Sequence, residues 1–287
     1  MRLTNSDERG PEAPASLDQR TQLLGNSGRW VASVYPEAGE AVIACVPAAS
    51  ASEAVKRDWS ELDPADRERR NHERSTRRAL VSSRRYLVAN RLRYMWVLTS
   101  AGALQGAEGR VECMRRVAQF AERLRKQFGV QPYWFSPELH PGGHGWHVNF
   151  FVQGRLPHGD VESLWGHGYV WVKDWCRDSR VQGHGLKLVE AIRRGALYGC
   201  KYASKDWSAE MLAGGVHRYE VAQQFAPKAV RIVASTLASV WSEVLDVFEG
   251  SEPSTVWSSA SCDDWDGPSV YCLTWMAVRR VDGVCDG

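Results

Sequence analysis

Residues 132–154 read PYWFSPELHPGGHGWHVNFFVQG, two strand-like runs around a turn signal. Aromatic and β-branched residues suit a pleated strand, and Pro-Gly-Gly punctuates the chain, so the segment predicts a hairpin. Side chains alternate across a strand. Along the second run Val148, Phe150 and Val152 alternate with His147 and Asn149, and along the first Phe135, Pro137 and Leu139 alternate with Glu138 and His140. One face is therefore apolar and the other carries polar groups. A four-residue loop at Pro141 to His144 sets Glu138 opposite His147 on that polar face, whereas a five-residue loop sends them to opposite faces. Glu138, His140, His144 and His147 then form a set of oxygen and imidazole donors, a metal-ligand chemistry, although each histidine beside a turn also fits an ordinary surface position.

Outward from the hairpin, YMWVLTS (94–100) and GYVWVKDW (168–175) predict further strands. Between the first of these and the hairpin lies RVECMRRVAQFAERLRKQFG, where Val111, Met114, Val117, Ala118, Ala121 and Leu124 recur at helical spacing and Gly129 is the stop. A short helix is expected near Asp160 to Trp165, and longer ones at 185–207 and 227–250. The sum is an α+β fold with a mainly antiparallel sheet. Five segments are expected: 1–55, largely disordered, with a minor hairpin at Arg29 to Val46; 56–93, an arginine-rich helical arm; 94–207, the catalytic domain; 208–250, a helical C-terminal part; and 251–287, a tail without a usable pattern. In the arm, Asp63-Pro64 marks a helix start and Leu80, Tyr86 and Leu87 give a sparse apolar stripe. Its doublets Arg77-Arg78 and Arg84-Arg85 fit either a solvated helix or a grip on phosphates.

Composition narrows the partners little. The chain has 287 residues, 44% of them hydrophobic, and a formal net charge of +2, so charge distribution matters more than the sum. Its seven cysteines contain no C-x-x-C pair, which favours reduced thiols in a cytoplasm over a disulfide framework. The acidic, proline-bearing N-terminal residues are no signal peptide and no run reaches the length of a membrane span, so a soluble cytoplasmic protein without a membrane partner is expected.

The segment LYGCKYASKDW (197–207) holds two tyrosines four residues apart, each followed three positions later by a lysine. At about 100° per residue, Val189, Ile192, Ala196, Cys200, Ala203 and Trp207 define a core line, and Tyr198, Lys201, Tyr202, Lys205 and Arg194 fall on the opposite side. Gly195 and Gly199 leave room for a close approach. Tyrosines at this spacing pack more often than they react, and the two lysines on the same face, with the two glycines, bring the readings level. As a reactive pair, a phenolate with lysines beside it is a nucleophile suited to phosphorus.

The ordered set WVLTS, ELHPGGHGWHVNFFV and YGCKYASK resembles the three motifs of the HUH endonucleases, specifically the rolling-circle replication initiator (Rep) proteins of bacterial plasmids and single-stranded-DNA phages. RRYLVANRLRYMWVLTS and HRYEVAQQF resemble the actinobacterial versions, and the likeness covers about residues 75–230. It implies a ferredoxin-like sheet, a Mg²⁺ or Mn²⁺ ion, and a tyrosine that nicks one DNA strand and stays joined to its 5′ phosphate. His147 and Val148 match the start of the His-hydrophobic-His motif, Asn149 stands where its second histidine belongs, and Glu138 matches the acidic ligand. Tyr202 matches the nucleophile of single-tyrosine initiators and Tyr198 the second tyrosine of phage initiators, with Lys201 and Lys205 beside them; Arg77, Arg78, Arg84 and Arg85 are expected to contact DNA phosphates. Implied partners are single-stranded or supercoiled origin DNA, and a host helicase with the replication machinery, since no G-x-x-x-x-G-K-[ST] occurs. Alternatives are a relaxase or HUH transposase, an origin-binding protein whose metal chemistry is impaired at Asn149, and a metal-dependent hydrolase without a covalent step.

Overall fold

A computed structural model describes residues 28–46, 63–102, 104–140, 142–177, 188–205, 218–262, 265 and 267–276, with the backbone alone at 188 and 201–205. In chain order its elements are β1 (Arg29–Tyr35), β2 (Glu40–Val46), α1 (Pro64–Ala89), β3 (Tyr94–Leu98), α2 (Gly106–Phe128), β4 (Tyr133–Leu139), β5 (Trp146–Val152), α3 (His158–Trp165) and β6 (Val170–Asp174). They continue with α4 (Leu188–Lys205), β7 (Glu220–Val221), β8 (Val230–Ala234), α5 (Leu237–Val247), β9 (Thr255–Ser258) and β10 (Val270–Thr274). The chain is α+β and divides into two units, Trp59–Pro227 and a second made of Met1–Asp58 with Lys228–Gly287.

The Trp59–Pro227 unit is built on an antiparallel sheet in the order β6-β3-β5-β4-β7. Strand alternation sends Trp96, Leu98, Phe135, Val148, Phe150 and Val152 to one face, where α2 and α3 cover them with Cys113, Val117, Phe120, Leu124, Val161 and Trp165. Phe120 meets Trp96, Phe150 and Trp165 edge-on at 5.2–6.1 Å between ring centroids, contacts that add about 0.5–1.5 kcal/mol each beyond burial. The opposite face presents Met95, Trp134, Phe151 and Trp175, which are covered by Tyr86 and Leu87 of α1 and by Ala196 and Cys200 of α4. Helix α1 starts as its sequence indicates, with the Asp63 carboxylate accepting a hydrogen bond from the Ala65 amide at 3.0 Å and proline in the first turn. Helix α2 ends at Gly129, whose φ of 81° only glycine adopts without strain. Its buried stripe is rotated from the expected one, however: Val111 is 66% exposed and Ala118 lies in solvent, while Arg110, Cys113 and Phe120 are buried.

The second unit corrects three expectations. The hairpin β1–β2 is no minor appendage, because it lies inside a five-stranded antiparallel sheet, β8-β1-β2-β10-β9. Residues 227–250 are not one helix: β8 precedes α5, and the Thr236 hydroxyl accepts from the Ser239 amide at 3.1 Å to start the helix there. The tail beyond 251 carries β9 and β10 and buries Tyr271, Leu273 and Trp275 against α5, with Phe248 stacked on Trp275 at 3.8 Å. The disorder expected for the first residues falls on 1–27, outside the described residues, as do 47–62, 206–217 and 277–287. Among the described residues no helix is long and apolar enough to cross a membrane.

Candidate functional site

The hairpin takes the four-residue loop, and its ladder pairs Glu138 with His147 and Ser136 with Asn149. All four side chains therefore lie on the face opposite α2 and α3. The loop is fixed at several points: the His140 amide bonds the Gly145 carbonyl, the Gly142 amide bonds His140 Nδ1 at 3.0 Å, and Gln105 Nε2 bonds the Gly143 carbonyl at 2.7 Å. Gly143 and Gly145 take φ of 76° and 82°, which closes the turn without side-chain strain.

On that face one carboxylate oxygen gathers the polar set. Glu138 Oε2 accepts a hydrogen bond from Asn149 Nδ2 at 2.6 Å and lies 3.2 Å from His147 Nε2. Glu138 and Asn149 are 8% and 4% exposed, so a carboxylate has been taken out of water and needs these partners. His140 and His144 stand at the rim, with the His140 ring 5.8 Å from that of His147 and 4.7 Å from that of His144. A cleft of about 510 Å³ opens here, lined among others by Val97, Thr99, Ser100, His140, His144, His147 and Trp171.

As a metal site, this cluster offers a carboxylate oxygen, an imidazole nitrogen and the carbonyl of an amide. Among the described residues no three His, Cys, Asp or Glu side chains converge as ligands, so the third donor has to be Asn149. Turning its amide over exchanges Nδ2 for Oδ1 at the same point, and which atom faces Glu138 is set by the surrounding hydrogen bonds. The donor set then suits a hard cation such as Mg²⁺ or Mn²⁺. The residues fit such an ion, with Asn149 as the adjustable member.

Helix α4 crosses the same face. A Cβ at Gly195 would lie 2.6 Å from Trp175 Cγ on the β6 side, and one at Gly199 would lie 2.7 Å from Phe151 Cζ on β5, so the two glycines are where the helix seats on the sheet. Val189, Ile192, Ala196 and Cys200 are buried, as their spacing predicts, and burial pushes the Cys200 thiol up to about 12. Tyr198 departs from expectation. It is half-buried, its ring 5.1 Å from that of Trp175 and 4.9 Å from Lys173 Nζ, rather than on a solvent face. Lys173 shares a ladder row with Met95 and Phe151. His147 lies four residues beyond Phe151 on β5, so the Lys173 and His147 backbones are about 16 Å apart from strand rise and strand spacing. Lys173 Nζ leans onto Trp175 at 3.9 Å, away from the histidines, and Tyr198 does not join the Glu138–His147–Asn149 cluster.

No family model, curated protein or solved structure matches this chain.

The remaining expected site residues divide. Tyr202, Lys201 and Lys205 belong to the backbone of α4, but their side chains lie outside the described residues. On α1, Arg77 and Arg78 are exposed, Arg84 and Arg85 are half-buried, and the helix is anchored by its second half through Ser83, Tyr86, Leu87 and Val88. Trp134 Nε1 donates to Ser83 Oγ and the Tyr86 hydroxyl to the Ala222 carbonyl, both at 2.9 Å. Sequence reasoning missed Trp171, Lys173 and Trp175, although their alternation with Val170, Val172 and Asp174 was readable as one face of a strand.

Proposed function

We propose that this chain is a rolling-circle replication initiator of the HUH type, which nicks and rejoins one DNA strand through a 5′-phosphotyrosine link. The observation that carries the reading is the convergence of Glu138, His147 and Asn149 on the sheet face that α4 crosses. The order β6-β3-β5-β4, with α2 and α3 on one face, is that of a ferredoxin-like β-α-β-β-α-β unit and supports the same reading.

Tyr202 is the nucleophile in this account. On the helical wheel position 202 falls about 20° from Ala191 and from Gly195, both of which are buried. The helix steps from Trp175, just past β6, to Phe151 of β5 over one turn, and that direction continued leads toward the row of Ser136 and Asn149. Glu138, His147 and Asn149 would hold the divalent ion, which supplies positive charge at the non-bridging oxygens of the scissile phosphate. The Tyr202 phenol oxygen forms a bond to phosphorus as the bond to the 3′ oxygen breaks, and the phenol proton passes in net to that oxygen. Lys201 and Lys205 favour the phenolate by their charge. Reversal with a 3′ hydroxyl restores the DNA backbone without ATP, and a host helicase supplies unwinding. Tyr198, held against Trp175 and Lys173, seats the helix and would have to leave that packing to act as a second nucleophile.

The test is incubation of the full chain and Mn²⁺ with supercoiled or single-stranded origin DNA, followed by a denaturing gel and mass analysis of the protein. A covalent adduct on Tyr202, lost in Tyr202→Phe and kept in Tyr198→Phe, is expected. An adduct mapped to another residue removes Tyr202 from its role. The second reading, an origin-binding protein without nicking activity, is favoured by the direct Asn149–Glu138 hydrogen bond; DNA binding with neither nick nor adduct at any Mn²⁺ concentration would select it.

A further inference from the structure

Edge strand β6 carries a column of large side chains on the α4 face: Tyr169 just before the strand, then Trp171, Lys173 and Trp175. The column changes character along its length. Lys173 and Trp175 are 8% and 4% exposed beneath α4, whereas Trp171 is 57% and Tyr169 82% exposed. Single exposed hydrophobics need no explanation, but here two large aromatic residues are exposed at alternate positions, 169 and 171. Trp171 is also part of the cleft wall that holds His140, His144 and His147, and among the described residues lining that cleft none is acidic.

Hydrogen bonds tie the backbone before these rings to the end of β3. The Thr99 amide bonds the Tyr169 carbonyl at 2.9 Å, the Tyr169 amide bonds Thr99 Oγ1 at 3.1 Å, and Trp165 Nε1 bonds the Thr99 carbonyl at 2.6 Å. Between them Gly168 lies so close that a Cβ would meet the Thr99 carbonyl oxygen at 2.5 Å. In the same cleft Ser100 Oγ is buried without a hydrogen-bond partner among the described residues.

We infer that Trp171, with Tyr169 beside it, is a base-stacking subsite that receives a single-stranded polynucleotide as it enters the cleft at the three histidines. Alternate residues of a strand stand about 6.6–6.8 Å apart, which suits successive bases of an extended single strand and not the closely stacked bases of a duplex. The imidazoles lining the cleft provide hydrogen-bonding groups for the backbone of the strand. Stacking accepts any base, so the subsite fixes the strand's path and its single-stranded state rather than its sequence. This inference shares its site with the nicking reading, and it is read by binding alone.

The experiment uses the full chain in EDTA, so that no cleavage occurs, with a fluorescein-labelled oligothymidylate of about ten nucleotides followed by anisotropy. Parallel arms use the matching oligouridylate and a duplex, and 5-iododeoxyuridine in the oligothymidylate gives a photo-crosslink mapped by mass spectrometry. Trp171→Ala should weaken oligothymidylate binding about 5- to 150-fold, Trp171→Phe should restore most of it, and the crosslink should fall in residues 169–171. Unchanged affinity in Trp171→Ala with a crosslink elsewhere overturns the subsite and leaves the nicking reading standing. Absence of binding to any polynucleotide overturns both. Duplex bound as tightly as the single strand refutes the stacking argument, and oligouridylate bound ten times more tightly refutes DNA as the strand received.

Discussion

Adding one methyl group to α4 tests whether that helix sits where the site requires it. A Cβ at Gly195 would stand 2.6, 2.7 and 2.9 Å from Cγ, Cδ2 and Cδ1 of Trp175. Ordinary contact begins near 3.4 Å, so helix and ring must part by about 0.8 Å. The ring has little room to yield, since Trp175 is 4% exposed, Lys173 Nζ lies 3.9 Å from its centroid and Tyr198 packs on it. Helix propensity alone favours alanine over glycine by about 1 kcal/mol. Overpacking a filled site costs about 1–3 kcal/mol, so Gly195→Ala should be destabilising by up to about 2 kcal/mol in net. Urea unfolding followed by circular dichroism, with an unchanged slope, reads this directly. Arg194→Ala, on the exposed arc, is the control and should stay within about 0.5 kcal/mol of the parent. Gly199→Ala should cost less than Gly195→Ala, because there the obstacle is the tip of the Phe151 ring rather than the root of an indole. A Gly195→Ala protein about 1 kcal/mol more stable than the parent would refute the seating of α4 on β6, and with it the path that carries position 202 toward Asn149.

Asn149→His should lower the Mn²⁺ concentration needed for half-maximal nicking, while His147→Ala should abolish nicking and weaken DNA binding in EDTA less than Trp171→Ala does; a parent protein indifferent to EDTA would remove the metal from the account. Replacing Arg77, Arg78, Arg84 and Arg85 together by glutamine should reduce the slope of log affinity against log salt by up to about 3 on single-stranded DNA, and an unchanged slope would take α1 out of the interface. Arg93 holds Asp174 through two hydrogen bonds of 2.7 Å. Burial alone would raise the Asp174 pKa, but the hydrogen bonds from Arg93 and the Cys176 amide, with the charges of Arg93 and Arg177, together outweigh it and the carboxyl lies below its ordinary 3.8. A lowered folded-state pKa gives stability that is present above 3.8 and lost as pH falls below it. Asp174→Asn should therefore lower the urea midpoint at neutral pH and converge with the parent in acid, and a gap that persisted in acid would assign the loss to packing.

Much of this protein was determined locally by its sequence. The period-two pattern of 132–154 and the length of its loop were enough to place Glu138 opposite His147, because register in a short hairpin follows from the turn. The cap at Asp63 and the stop at Gly129 likewise act within one helical turn of where they stand. What tertiary structure decided was everything that depends on partners distant in the chain. Strand β8 was absorbed into an expected helix although Val230, Ile232 and Val233 favour a strand, since what holds it is pairing with β1, two hundred residues earlier. The tail strand β10 shows no strong period of its own and is fixed by its ladder with β2. The side of α4 that carries Tyr198 offered the same ambiguity: a helical wheel ranks faces by polarity, but α4 is covered by α1 on one flank and by the sheet on another, so its buried arc is wider than one apolar line. Aromatic residues on β6 and just past it could be read as alternating from the sequence, yet only the place where α4 crosses the sheet, with Gly195 against Trp175, decides that Trp175 is buried and Trp171 is exposed.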